Sequence, residues 1–197
     1  EQNTNPSINN HYQNPDVEYW RGTFEREGRA VWDYRHQVLE ALALEPGQRV
    51  ADIGTGTGFY ALMFAQKVGP SGKVYAVDIA ENFVAGVQDR AGQAGLKNVE
   101  GVVNDQKSVR LPDNSIDLAF ISDTYHHFEY PRTTLKSIPL ALVAGGDVVV
   151  IDFRKHPDVS NSWVMSHVRG DEQQVIAEFE SEGFRLVEDR DFMPTQY

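Results

Sequence analysis

The stretch "DIGTGTG" combines a carboxylate with three glycines at alternate positions. Asp52 is followed by Gly54, Gly56 and Gly58, between an apolar run and an apolar-rich segment. A glycine-rich turn between a strand and a helix lets the backbone approach a ligand closely. The dinucleotide pattern G-x-G-x-x-G fails here because its last position is Phe59. The stretch therefore predicts a loop for a nucleotide-like cofactor that is not a dinucleotide.

A second stretch, "SDTYHHFEYP", places two adjacent histidines where a proton can be moved. Histidine gains or loses a proton near neutral pH, and group transfer to oxygen or nitrogen often needs a base. Tyr125 precedes His126 and His127. Adjacent side chains seldom point into one pocket, so packing or capping explains either histidine as well. We take Tyr125, His126 and His127 as catalytic candidates, with the choice of base left open.

Four carboxylates end successive predicted strands. They are Asp52, Asp78, Asp105 and Asp123. A carboxylate accepts hydrogen bonds well from the two hydroxyls of a ribose. An acid-rich set also suits a cationic cofactor better than a pyrophosphate. Single aspartates often cap helices or lie in turns, but a set at successive strand ends favours a cofactor site.

Apolar strands alternate with helical segments from residue 49 onward, which predicts a doubly wound α/β sheet, mostly parallel, with helices on both faces. The predicted strands are Arg49–Ile53, Lys73–Asp78, Val99–Val103, Ile116–Ser122, Asp147–Phe153 and Phe184–Asp189. The predicted helices are Phe59–Val68, Glu81–Ala94, Arg132–Val143 and Glu172–Glu182. "AGG", before the fifth strand, is predicted to be a turn, and Thr195–Tyr197 the opening of a seventh strand.

The chain is predicted to have three parts. Residues 1–16 form a flexible polar arm, residues 17–47 a cap of two helices interrupted at Gly28, and residues 48–197 the cofactor-binding domain, whose last strand is short or incomplete. The chain begins at Glu1 without a methionine, so the arm is expected to follow either an expression tag or a cleaved signal peptide, and the choice is left open. Compartment is left unknown: cofactor supply favours the cytoplasm, and an exported form stays open.

The motifs together resemble those of the class I S-adenosylmethionine-dependent methyltransferases, in particular the small-molecule, type 11/25-like group. The resemblance covers most of residues 48–189 and implies a Rossmann-like methyltransferase fold. It further implies that Asp52 and the glycine loop hold the methionine moiety and that Asp78 binds the ribose. Asp105, with Gln106 beside it, would meet the adenine amino group, and Asp123 would line the methionine and substrate side. The full set of expected cofactor-binding residues is Asp52, Gly54, Thr55, Gly56, Gly58, Asp78, Ile79, Asn104, Asp105, Gln106 and Asp123.

The acceptor side is less defined by the sequence. Trp163, Met165 and His167 lie in a long connection that either lines a substrate pocket or packs on the sheet edge. Some relatives bind a divalent cation with acids after the fourth and fifth strands. Asp123 and Asp152 stand there, with His126, His127 and His156 as further ligands, but Phe153 replaces the usual asparagine. We therefore predict no metal.

Composition and net charge reduce the range of possible functions. The net charge of −11 argues against sequence-independent nucleic-acid binding, and no apolar run approaches the roughly 20 residues that span a bilayer. There is no cysteine, which excludes thiolate zinc sites and cysteine nucleophiles. We predict S-adenosylmethionine-dependent methyl transfer to a small molecule at O, N, S or C, giving S-adenosylhomocysteine. The alternatives are a non-catalytic binder of these two ligands and a nicotinamide-dependent oxidoreductase. Oligomeric state is left open.

Overall fold

The computed structural model describes residues 1–197 and contains one sheet of five parallel strands. In chain order the strands are β1 (Arg49–Ile53), β2 (Lys73–Asp78), β3 (Val99–Val103), β4 (Ile116–Ser122) and β5 (Leu142–Ile151). Their order across the sheet is β3-β2-β1-β4-β5, and each neighbouring pair is parallel. The predicted doubly wound α/β class is confirmed.

Eight α-helices surround the sheet. They are α1 (Val17–Phe24), α2 (Ala30–Asp33), α3 (Arg35–Leu42), α4 (Phe59–Val68), α5 (Glu81–Gln93), α6 (Pro131–Ala141), α7 (Ser162–His167) and α8 (Glu172–Ser181). None of them is long and apolar enough to cross a membrane.

The sheet has an apolar core on each face. Successive strand residues point to opposite faces, so Val50 of β1 packs in a core with α3 and α4, whereas Ala51 and Ile53 pack in a core with α6 and α8. These strand residues are almost fully buried, as expected for a parallel sheet covered on both faces. Burial of this kind supplies the main driving force for folding.

The strand order reverses between β1 and β4. From β1 the chain proceeds outward through β2 and β3, and it then returns to the other side of β1 with β4 and β5. In open α/β sheets a ligand crevice forms beyond the carboxyl ends of the strands at such a point. The loops after β1 and β4, which contain "GTGTG" and "TYHHF", both lie at this crevice.

The fifth strand begins earlier than predicted. "AGG" is part of β5 and not a turn, because α6 ends at Ala141 and β5 starts at Leu142 without a connection. Leu142 pairs with Ile116 and Asp147 with Leu118, so the extra residues form an irregularity in the pairing. Gly145 has φ of 79° there, a conformation that glycine adopts without strain.

The sixth predicted strand, Phe184–Asp189, does not form. This segment has no strand partner, and Leu186 and Val187 are exposed. A strand needs a neighbour to pair its backbone groups, which a local alternating pattern cannot supply. The predicted opening of a seventh strand is present only as pairing beside β5, where the backbone amide of Tyr197 donates to the Asp152 carbonyl at 3.0 Å and Gln196 forms an antiparallel bridge with Phe153.

The segment before β1 folds over the crevice. Three short helices, α1 to α3, replace the predicted two, and the break after α1 contains Gly28 as expected. Residues 1–16, expected to be a flexible arm, pack against the loop after β4. The amide of Thr4 donates to the Glu129 carbonyl at 2.8 Å, Ile8 is buried, and the Tyr12 ring lies 4.9 Å from that of Trp20.

Candidate active site

One cavity of about 820 Å³ occupies the crevice at the switch point. This volume lies in the upper part of the range of about 300–1,000 Å³ for small-molecule sites, so it has room for a cofactor and a second small molecule. The expected site residues on its wall are Gly54, Thr55, Gly56, Asp78, Ile79, Asn104, Asp105, Gln106, Asp123, His126 and His127. Three others, Asp52, Gly58 and Tyr125, are not on the wall.

The glycine loop after β1 forms one side of the cavity. The amides of Gly54 and Thr55 donate to the Val77 carbonyl at 2.8 and 2.9 Å, which anchors the loop to the end of β2. A Cβ on Gly54, whose φ is 75°, would lie 2.1 Å from the Thr124 side chain. A Cβ on Gly56 would lie 3.2 Å from Phe24. The close approach of neighbouring side chains therefore requires glycine here, and it leaves backbone on the cavity wall.

Asp78, at the end of β2, is a buried carboxylate on the same wall. Its Oδ2 accepts the Gly56 amide at 2.9 Å and its Oδ1 accepts the Ala80 amide at 3.0 Å. Burial raises the pKa of Asp78 to about 6, an effect that these amide donors partly offset. Each oxygen keeps a second lone pair, so Asp78 can still accept hydrogen bonds from a diol.

The loop after β3 is held mainly by its own side chains. Asn104 donates to the carbonyls of Asp105 and Ser108 at 3.0 and 3.1 Å. The Asp105 carboxylate, expected to face an adenine amino group, instead binds the Arg110 guanidinium at 2.8 Å and the amide of Lys107 at 2.7 Å. These bonds hold the pKa of Asp105 below its usual value.

Glu129 is a buried wall residue that the sequence analysis missed. Its carboxylate accepts Nε2 of Gln106 at 2.7 Å and Nδ2 of Asn9 at 3.0 Å, and it also binds Asn3. It therefore joins the arm to the loops after β3 and β4. The sequence around Glu129, "HHFEYP", gives no local indication of this role, because the hydrogen-bond partners of Glu129 are residues 3, 9 and 106.

Asp123 follows β4 and lies on the cavity wall. Its backbone has φ of 46°, which is uncommon for a residue with a side chain. Its carboxylate contacts Nη2 of Arg29 at 3.2 Å and Nε2 of Gln196 at 3.4 Å. Burial raises the pKa of Asp123 to about 6, although the Arg29 guanidinium acts to lower it. Asp123 thus ties the helical cap to the sheet.

The three expected residues off the wall have supporting contacts. Asp52 lies behind the glycine loop and accepts the Thr55 hydroxyl at 2.8 Å; burial raises the pKa of Asp52 to about 7. A Cβ on Gly58 would lie 2.4 Å from Val87, so this glycine permits packing between α4 and α5. Tyr125, proposed from the sequence as catalytic, is fully buried in the core and donates its hydroxyl to Glu178 at 2.7 Å.

His126 is the catalytic candidate with the clearest orientation. Its Nδ1 lies 2.7 Å from Oδ1 of Asp152, and its backbone amide donates to Oδ2 at 3.0 Å. The carboxylate acceptor assigns the proton to Nδ1, which leaves the lone pair on Nε2. Burial by itself would lower the pKa of His126, but Asp152 raises it above the usual value. Nε2 is buried and has no hydrogen-bond partner.

Two further histidine rings lie against His126. The ring of His127 is 4.2 Å away, and that of His167, from α7, is 5.3 Å from both. Burial lowers the pKa of His127 to about 2 and also lowers that of His167. His156, the other histidine considered as a ligand, is exposed beside Asp158 and does not join them.

Comparison with known proteins places this site in a family. A family model described as "Methyltransferase domain" matches residues 44–188, which is more than half of the chain. The ubiquinone/menaquinone biosynthesis C-methyltransferase UbiE of Hydrogenovibrio crunogenus is 31% identical over 123 residues, covering 62% of this chain and 48% of that protein. The chain thus spans about half the length of the curated relatives that it matches.

Two solved structures share the fold over most of the chain. A SAM-dependent methyltransferase from Aquifex aeolicus has a TM-score of 0.81 and 27% identity, covering 92% of this chain and 95% of that one. The [4+2]-cyclase SpnF has a TM-score of 0.67 and 26% identity, covering 84% of this chain and 63% of that one. With the family model and the glycine loop at the switch point, these matches show that the chain belongs to the class I S-adenosylmethionine-dependent methyltransferase family.

Proposed function

We propose that the protein transfers the methyl group of S-adenosylmethionine to a small molecule bound between the glycine loop and the histidines. One observation carries the proposal. A single cavity is lined by Gly54, Gly56 and Asp78 and also by His126, whose oriented ring has its Nε2 buried without a hydrogen-bond partner. Chemistry between two bound molecules requires this arrangement, because both must lie within reach of each other.

The cofactor side fits a ligand that has a ribose and no phosphates. Gly54–Gly56 offers backbone at close approach, and Asp78 offers carboxylate lone pairs to the ribose hydroxyls. We assign the binding of the adenine ring to Ile79, Asn104 and Gln106, which border the cavity together with Asp78. A pyrophosphate is disfavoured because Phe59 stands at the last glycine position of the dinucleotide pattern G-x-G-x-x-G. When bound, S-adenosylmethionine supplies an electrophilic methyl group on a cationic sulfur.

Residues on and behind the wall keep this side in place. Asp52 holds the loop through Thr55, and Gly58 lets α4 pack on α5. Asp105 binds Arg110 and so holds its own loop, and it lies on the cavity wall, where the contact with adenine expected from the sequence stays a prediction. Asp123 holds Arg29 of the cap beside the methionine and acceptor side.

His126 acts on the acceptor. Its Nε2 accepts the hydrogen bond of an acceptor O–H or N–H and takes that proton as the methyl group is transferred. Asp152 holds the ring and stabilises the imidazolium that forms. His127, whose pKa is lowered to about 2, stays neutral and positions the acceptor.

Aromatic side chains favour a planar acceptor. Trp163 stacks on His167 with ring centroids 4.4 Å apart, and Phe153 meets Trp163 edge-on at 5.7 Å. Relatives named as acting in ubiquinone and menaquinone biosynthesis support a quinone-type ring, and the proposed base at His126 adds a hydroxyl group, as the first acceptor class to test. The charge of −11 supports the expectation that nucleic acid is not an acceptor.

The test is methyl transfer to a panel of phenolic and hydroxyquinone acceptors, measured as S-adenosylhomocysteine release. We expect turnover by the wild type and a fall in kcat of about 100-fold or more for His126→Asn. His36→Asn is the matched control because His36 is exposed on α3 and off the cavity wall. The affinity for S-adenosylhomocysteine, measured by calorimetry, should stay unchanged in both variants.

Binding of S-adenosylhomocysteine without turnover on any acceptor would instead support the non-catalytic binder. The [4+2]-cyclase SpnF shares this fold, so the fold alone does not establish methyl transfer, and the non-catalytic outcome belongs in the test.

A further inference from the structure

Three imidazoles from two separate segments converge at the acceptor side of the cavity. His126 and His127 follow β4, and His167 is the last residue of α7. One ring nitrogen of each lies within 4.8 Å of those of the other two. The ligand set considered from the sequence is Asp123 and Asp152 with His126, His127 and His156, without His167, and no metal is predicted from it.

Two of these histidines have buried nitrogens without a partner. Nε2 of His126 and Nδ1 of His127 have no hydrogen bond, although His126 is only 4% exposed. An unsatisfied buried polar group costs about 1–3 kcal/mol, so native structures rarely keep one without a function. A cation that accepts lone pairs from both nitrogens would remove this cost.

Asp152 prepares His126 for that use. Its carboxylate accepts a hydrogen bond from Nδ1–H, so the lone pair of His126 is fixed on Nε2. Histidines that ligate metals almost always donate their other N–H to a carboxylate, a carbonyl or water.

We propose that His126, His127 and His167 bind a divalent transition-metal ion of the Zn²⁺ or Co²⁺ kind, with an open position toward the cavity. Imidazole suits these ions, and three protein ligands with one free position are typical of catalytic zinc. Metal–nitrogen bonds of about 2.1 Å require ligand nitrogens roughly 3.4 Å apart in a tetrahedral site. The partly buried His167 must therefore move toward the other two by about an ångström.

The use of this ion rests on the proposed function, but its binding does not. An acceptor hydroxyl at the open position would ionise at lower pH, and its proton would leave to solvent. Ion and proton compete for the same lone pair on Nε2 of His126. The metal-loaded protein consequently activates the acceptor by coordination, and His126 serves as base only in the metal-free protein.

The test uses the full chain after treatment with a chelator, titrated with Co²⁺ and followed by visible absorption. We expect one saturable site per chain, displaced by Zn²⁺, with bands of tetrahedral or five-coordinate Co²⁺. His167→Asn should weaken binding by about tenfold or more. His156→Asn should leave it unchanged, because His156 is exposed and separate from the cluster.

Absence of a saturable site in the wild type, or equal affinity in His167→Asn, would overturn the proposal. Calorimetry with S-adenosylhomocysteine on the same samples checks the fold of each variant and separates this inference from the proposed function. Ligand binding without Co²⁺ binding would reject the metal and keep the cofactor site. Co²⁺ binding without ligand binding would support the metal site and reject the cofactor assignment.

Discussion

The two sides of the cavity are built in different ways. The cofactor side comes from short loops directly after β1, β2 and β3, and most of its side chains bind neighbours in the same or the adjacent loop. The acceptor side combines the loop after β4 with Asp152 after β5, His167 of α7 and the N-terminal arm. Contacts there join residues far apart in sequence.

The difference separates what is shared within a fold from what varies. A loop at a strand end is placed by the sheet, so a local motif suffices to form the cofactor side. The acceptor side depends on how connecting segments pack over that edge. Such segments carry specificity in many proteins, which agrees with a site whose acceptor is not evident from its motifs.

The largest expected effect comes from adding one carbon atom to the glycine loop on the cofactor side. Gly54→Ala adds a Cβ at 2.1 Å from Thr124 and at a φ of 75°. We expect a loss of about 3 kcal/mol in the free energy of unfolding and loss of S-adenosylhomocysteine binding. Urea denaturation and calorimetry measure the two effects.

Gly92→Ala is the control for that substitution. Gly92 lies in α5 with nothing within 4 Å of an added Cβ, so this change should stabilise the protein by up to about 1 kcal/mol. Wild-type affinity in Gly54→Ala would contradict the close approach of the loop to Thr124 and with it the local origin of the cofactor side.

Lowering the pH should have a smaller effect, which is a loss of cofactor affinity at Asp78. The pKa of Asp78 is raised to about 6 by burial, and ribose hydroxyls donate to its ionised form. Protonation on lowering the pH therefore removes the preferred acceptor. If one group of pKa about 6 must be ionised, affinity for S-adenosylhomocysteine falls about fourfold at pH 5.5 relative to pH 7.5.

Two neighbouring carboxyls titrate in the same range, since the pKa of Asp52 is raised to about 7 and that of Asp123 to about 6. Asp78→Asn distinguishes them. A flat profile in this variant assigns the effect to Asp78, whereas an unchanged slope would assign it to Asp52 or Asp123 and contradict the ribose role.

The sequence predicts those features that depend on neighbours in the chain. Alternation of apolar strands and helices is enough for β1 to β4 and for the switch point, and the glycines with Asp78 mark the cofactor edge. The prediction from sequence is wrong where pairing with a segment distant in the chain decides whether a strand forms. Phe184–Asp189 has a strand pattern but no neighbour, and Gly145 is part of a strand because Leu142 pairs with Ile116.

The same reason explains the missed and misassigned site residues. Tyr125 looks catalytic beside two histidines, but its ring is drawn into the core by packing against Phe179 and bonding to Glu178. His167 becomes part of the histidine cluster only because α7 packs beside the loop after β4 and the residue Phe153 after β5. Glu129 gains its role from the arm, whose polar composition gives no sign of a docking site.

The most direct test of the account is calorimetric titration of the wild type with S-adenosylhomocysteine, with NADH as the negative ligand. We predict one site per chain, no NADH signal, and an affinity at least about tenfold lower in Asp78→Asn, which corresponds to about 1.4 kcal/mol. Asp89→Asn, at an exposed position on α5, should match the wild type. No binding by the folded wild type, or equal binding by Asp78→Asn, would contradict the assignment of this cavity to the cofactor.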